Sequence, residues 1–262
     1  MEPLDDDVTP AAFARSRAQV YDLFAAVFDG DMAVLSAAID DNAFERLEET
    51  LPADVDCDAL DQSFDAEALS FAYDNLFVVP GEHYVPPFAS AHATDPSKPF
   101  ESPSAYHDVG TAGEFLGQPA ANVSHLYAQV GFEPERGDAI PDHVAAILEF
   151  QAVLCQTEAD QRAAGDDVAD LLELQRSGYS SLAWLDEFDD AVAERDTAVG
   201  VFATLTRLVR TFVAWDATRA ATSATESEST MATDDADSDP LGATTPRQQT
   251  TQSLTTSTDD DR

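Results

Sequence analysis

The stretch "PDHVAAILEFQAVLC", residues 141–155, decides the fold class. Val144, Ile147, Leu148 and Leu154 recur at helical spacing, which lines them along one face of a helix, whereas a half-buried strand would need strict alternation. Pro141 suits a first helical turn, where a missing N–H is harmless. The same period returns in "RAQVYDLFAAVF", residues 17–28, where Val20, Phe24, Val27 and Phe28 share a face with Tyr21 beside them, in a helix that starts near Thr9-Pro10. It returns again in "VGVFATLTRLVRTFVAW", residues 199–215, through Val201, Leu205, Leu208 and Phe212. Shorter helices are expected near residues 31–40, 42–50, 64–78, 112–130 and 167–192. Runs such as Val78-Val79 lack the alternation and the partners of a sheet. The expected fold is all-α, a single multi-helix bundle.

Residues 11–216 are read as the bundle and residues 1–10 as a flexible amino terminus. From Ala217 onward Ser, Thr and Asp replace large apolar residues, so residues 217–262 are read as a disordered acidic tail, because such a segment cannot bury enough surface to offset chain entropy. The 262-residue chain carries 51 acidic and 13 basic side chains, a formal charge of −38, and Lys98 is its single lysine. The acids are spread along the whole sequence, which favours a carboxylate coat adapted to a saline cytoplasm, a halophilic trait, over an acidic face for cationic partners. Binding to nucleic acid, which rests on Lys and Arg neutralising phosphates, is disfavoured. No apolar run approaches the roughly 20 residues of a membrane span, and the start "MEPLDDDVTP" is acidic where a signal peptide is basic, so a cytoplasmic location is expected.

Chemistry-bearing patterns are sparse. Cys57 and Cys155 form no CxxC pair, and His83, His92, His107, His125 and His143 show neither HxxxH nor HExxH spacing. There is no GxSxG and no phosphate loop, so no catalytic residue, metal or cofactor is expected.

Two stretches are denser in unusual residues than packing demands. In "FAYDNLFVVPGEHYVPPFAS", residues 71–90, Tyr73, Leu76 and Phe77 share a helical face that leads into a loop stiffened by Pro80, Pro86 and Pro87. In residues 125–150 a helix ends at Gly131-Phe132, and a turn-rich link delivers Asp142 and His143 to the first turn of the next helix, where an Asp caps or favours the helix dipole.

"YDNLFVVPG" and "VPPFAS", followed by Tyr127, Gly131-Phe132 and "PDHVAAILEF", resemble the TorD/DmsD/NarJ family, cytoplasmic chaperones for molybdopterin oxidoreductases. "RAQVYDLFAAVF" and "LAWLDEF" around Trp184 fit as well, so the resemblance covers about residues 11–215. It implies an all-helical, non-enzymatic protein that binds the apo catalytic subunit of such an oxidoreductase, commonly through its twin-arginine leader, until the cofactor is inserted and before export. Carried over by position, the partner-binding surface comprises Tyr73, Leu76, Phe77, Pro86, Pro87, Pro141, Asp142 and His143. Asp142 would accept a leader guanidinium and the aromatic and aliphatic groups would receive its apolar stretch, with the proline loop as a preorganised wall. Tyr73 and Asp142 are expected at the surface, while Leu76 and Phe77 fit the core as well as the groove. Where several relatives have a His four residues before the tryptophan, this chain has Ser180. Monomer and homodimer both stay open, as do two other readings: a halophilic helical adaptor for an unrelated partner, and a small hydrolase or nucleotide-binding enzyme in which His83, His92 or His107 converge on a pocket.

Overall fold

The computed structural model describes residues 9–52, 55–60, 64–92, 117–196 and 200–234, with side chains as far as Ala220 in the last stretch. The helices are α1 (Pro10–Phe28), α2 (Met32–Asp40), α3 (Ala43–Thr50), α4 (Ala66–Tyr73), the short α5 (Ala89–His92), α6 (Gln118–Val130), α7 (Val144–Ala164), α8 (Ala169–Ser180), α9 (Leu185–Arg195) and α10 (Val201–Asp234). No strand occurs among the described residues, so the all-α reading holds; an isolated antiparallel bridge joins Phe88 to His143.

The chain divides into two units, Met1–Thr222 and Ser223–Arg262. In the second, only the helical backbone as far as Asp234 is described. Helix thus continues past Ala217, where composition turns tail-like; Ala217 and Ala220 still pack against the core, and alanine favours helix. Residues 235–262, like residues 1–8, lie outside the described residues. The helix expected over 167–192 is two, because the chain turns at residues 181–184, where the indole of Trp184 donates to the Ser181 carbonyl at 3.0 Å.

Local chemistry fixes the ends. The Thr9 hydroxyl caps α1 by accepting from Ala12 N–H at 3.2 Å, with Pro10 just inside. Asp196 caps α10, one carboxyl oxygen accepting from Phe202 N–H at 2.9 Å and Ala203 N–H at 3.0 Å.

Helix α1 lies along α7, with α2, α8 and α10 around that pair. The Tyr21 ring meets Phe212 of α10 at 4.9 Å, and Phe28 at the end of α1 meets Phe77 and Phe188 at 6.0 Å each. Edge and tilted contacts of this kind stabilise by about 0.5–1.5 kcal/mol each beyond area burial.

Inside this shell sits a charged cluster. The guanidinium of Arg17 (α1) binds Glu158 (α7) at 2.8 Å and Asp216 (α10) at 2.6 Å, and donates to Gln175 at 3.0 Å and the Tyr179 hydroxyl at 2.6 Å, both on α8. Tyr21 and Tyr179 each donate to Asp216 at 2.9 Å, and Arg162 closes on Glu158 at 2.7 Å. Burial, then the Asp216 carboxylate, pushes both phenols well above their ordinary range, so they remain donors. Burial likewise pushes the Cys155 thiol up, which leaves it unreactive.

Candidate functional site

Helix α4 begins at Asp65, whose carboxyl accepts from Glu67 N–H at 3.3 Å, and passes into a π-helical turn, Asp74–Val78, closed by Val79 N–H on the Asp74 carbonyl at 2.7 Å. The wider turn belongs to a class found often at functional sites. Leu69, Tyr73, Leu76 and Phe77 do share a face, as their spacing requires, and that face is the core face. Phe77 packs against Phe28, Tyr73, Phe188 and Phe202 at centroid distances of 5.3 to 6.0 Å.

Tyr73 is therefore not at the surface, contrary to expectation. Its hydroxyl donates to the Phe28 carbonyl at 2.8 Å, and burial, then Asp29, raises its pKa. The ring occupies the space a side chain at residue 30 would need: a Cβ on Gly30, whose φ is +90°, would stand 3.0 Å from it. Exposure falls instead on the residues out of phase with the stripe, Phe71 at 75%, Val78 at 54% and Val79 at 55%, with Glu67, Asp74 and Glu82 exposed in the same segment. The signal was present in the sequence as a large apolar residue off the apolar stripe.

From the π turn the chain doubles back through Pro80-Gly81 and returns as an extended strap, residues 84–88. Val85 N–H bonds the Leu76 carbonyl at 2.7 Å. Pro87 is buried and Pro86 half-buried. The Pro87 carbonyl accepts from Val144 N–H at 2.8 Å, and Ala89 N–H returns to the Asp142 carbonyl at 2.9 Å, which makes the bridge to α7. His92 fixes the outer edge, donating from Nε2 to the Pro86 carbonyl at 2.7 Å while its ring stacks on Trp184 at 5.3 Å. Burial pulls its pKa down.

Asp142 departs furthest from expectation. It is fully buried and does not cap α7. One carboxyl oxygen, Oδ2, accepts from Ser90 N–H at 2.7 Å and from the Ser90 hydroxyl at 2.5 Å. The same hydroxyl accepts from Gly117 N–H, ahead of α6, at 3.2 Å, and Asp142 Oδ1 is buried without a hydrogen-bond partner among the described residues. The cap of α7 is His143, whose Nδ1 accepts from Ala145 N–H at 3.1 Å. Burial, partly offset by Asp29 and Asp138, pulls the imidazole down to about 4, so it is a neutral acceptor near pH 7. Its Cβ excludes any side chain at residue 137, where a Cβ would come within 2.7 Å and φ is +79°. Pro141 precedes the helix and is half-buried; its carbonyl accepts from the Tyr127 hydroxyl at 2.9 Å, and Tyr127 stacks edge-on with Phe132 and Phe150.

The eight residues carried over by position therefore fall in one continuous region, the two stretches being joined through Leu76–Val85 and Pro87–Val144, yet most of their side chains face inward. Ser180 back-bonds to the Arg176 carbonyl at 3.1 Å and takes no part. His107 and Lys98 lie outside the described residues. Among the described residues no three His, Cys, Asp or Glu side chains could hold a metal, and no helix is long and apolar enough to cross a membrane.

Residues 35–190 match the family profile of the nitrate reductase delta subunit, a span from within α2 to within α9 that contains both halves of this region. No curated protein and no solved structure matches the chain. With more than half of its length inside that match, the chain belongs to the nitrate reductase delta subunit family, cytoplasmic maturation chaperones for molybdoenzymes.

Proposed function

We propose that this protein holds the apo catalytic subunit of a molybdopterin oxidoreductase, of the dimethyl sulfoxide, trimethylamine N-oxide or nitrate reductase kind, by its twin-arginine leader until the cofactor is inserted, and thereby delays export. It does so without catalysis of its own. The observation that carries this reading is the family match over residues 35–190. A leader offers two guanidinium groups and an apolar, helix-prone stretch. The outer side of α4 and its π turn offers the complement: Phe71, Val78 and Val79 exposed among Glu67, Asp74 and Glu82. Tyr73, Leu76 and Phe77 support that face from beneath, and Pro86, Pro87, Asp142 and His143 hold the strap beside it. In a saline cytoplasm long-range steering is screened within a few ångströms, so affinity rests on short-range pairs and apolar burial and persists in molar salt.

The test is an affinity pull-down of the tagged protein from its host at native salt, with mass spectrometry of what it retains. Recovery of a molybdopterin oxidoreductase catalytic subunit, reduced about tenfold or more by Phe71→Ser combined with Val78→Ser, is the expected result. Recovery only of unrelated proteins would favour the adaptor reading and overturn this one.

A further inference from the structure

We infer that Ser90 and Asp142 are positioning residues, a latch that fixes the strap behind the leader-binding face, and that neither touches the leader. The inference rests on the leader reading above and goes beyond it, because Asp142 enters there by resemblance as the group that meets an arginine.

Three roles are open to a carboxyl group at this position, and the geometry removes two. Asp142 has no exposed surface, so an arriving guanidinium cannot reach it while the strap is in place. The cap of α7 is already supplied by His143. What remains is the pair of bonds from Ser90 to Oδ2, which cap the short α5 from a residue 52 positions away in the chain. The Ser90 hydroxyl also receives Gly117 N–H, so one side chain ties α5, the approach to α6 and the start of α7.

Stability alone does not account for this choice. A buried carboxyl group with one oxygen unpartnered, and with none of the ion pairs among the described residues reaching it, is a poor stabiliser compared with an apolar pair of the same volume. What it does specify is register. The strap has two backbone bonds to α7 and one to Leu76, and the Ser90 bonds fix where along α7 those fall. Because Val85 N–H is bonded to Leu76, the strap in turn sets the tilt of Val78 and Val79 between them.

The substitutions that separate a latch from a charge contact are Asp142→Asn, Asp142→Ala, Ser90→Ala and Ser90→Thr in the full chain. Two quantities are read: hydrogen exchange at the Ala89, Ser90 and Val144 amides, and affinity for a synthetic peptide carrying paired arginines followed by an apolar stretch. A latch needs an acceptor at residue 142 and a hydroxyl at residue 90, not a charge. Ser90→Ala and Asp142→Ala are expected to speed exchange and weaken peptide binding by about tenfold each, whereas Asp142→Asn and Ser90→Thr stay within about threefold of the parent. Equal losses in Asp142→Asn and Asp142→Ala, or unchanged binding in Ser90→Ala, would overturn the latch. If Asp142→Ala does not fold, Ser90→Ala, which removes a single oxygen, decides the matter. A parent protein that fails to bind the peptide defeats the leader reading but leaves the exchange measurement standing; unaltered exchange in Ser90→Ala then defeats the latch independently.

Discussion

The bundle contains two buried polar clusters built on opposite terms. Around Arg17, side chains from α1, α7, α8 and α10 converge, and two guanidinium groups, Arg17 and Arg162, answer two carboxyl groups, Glu158 and Asp216. Around Asp142, a strap is held to the start of α7 by a serine, with no basic partner among the described residues and one oxygen unused. The first cluster is closed on itself and fixes how four helices meet. The second is held by a few hydrogen bonds and fixes a surface segment. Buried polarity thus serves the frame in one place and a surface strap in the other, and the two should fail differently.

The largest difference is expected from Arg17→Met. Removing the cation strands Glu158 and Asp216 in the core and should destabilise the fold by about 3–5 kcal/mol, seen as a lowered urea midpoint. A loss of unfolding free energy under about 1 kcal/mol would show that the cluster is not the stronger of the two.

Acid should separate the clusters next. The His143 imidazole is pulled from 6.5 to about 4, so the unfolded chain takes up a proton that the folded one refuses. The contribution of a neutral His143 should be complete above pH 6.5 and be lost as pH drops from 6.5 to about 4, by roughly 3 kcal/mol in all. His143→Asn keeps a capping acceptor and should flatten that part of the pH–stability curve. Glu158 behaves otherwise. Burial opposes its ionisation, but the hydrogen bond from Gln175 and the charges of Arg17 and Arg162 outweigh burial and hold it below 4.5, so its contribution is lost only in stronger acid. A pH–stability curve of His143→Asn that still falls across the upper window would contradict this order.

Smaller effects follow. Ser90→Ala should lower stability by about 1 kcal/mol while loosening the strap locally, which calorimetry and amide exchange together resolve. Phe71→Ser, at a side chain 75% exposed, should change the melting free energy by less than about 0.5 kcal/mol and act on partner binding alone. A large loss of stability there would mean that Phe71 packs against something within the fold.

Much of the frame was legible because periodicity reports directly on burial. The stripes of α1, α7 and α10 and the shared face of Tyr73, Leu76 and Phe77 are where spacing puts them. Spacing does not say which way a face points, so Leu76 and Phe77 read equally well as groove or core, Tyr73 was expected at the surface although it is buried, and Phe71 drew no weight. The split between α8 and α9 depends on Trp184 bonding across a turn of ordinary composition. Asp142 was legible as a helix-start residue, but its actual partner, Ser90, is 52 positions earlier, and no local pattern carries a bond of that span. Arg17 gave no sign at all, since an arginine on an otherwise apolar helix face is ordinarily a snorkelling side chain.

The Arg17 cluster also sets an order of events during synthesis. Tyr21 and Asp216 are 195 positions apart, so the first helix leaves the ribosome long before the acceptor that completes its polar face. At about 5–20 residues per second the interval is roughly 10 to 40 s, during which Arg17 has no Asp216 to pair with. The amino-terminal helix therefore cannot complete its buried polar contacts until residue 216 has been made and has left the ribosome.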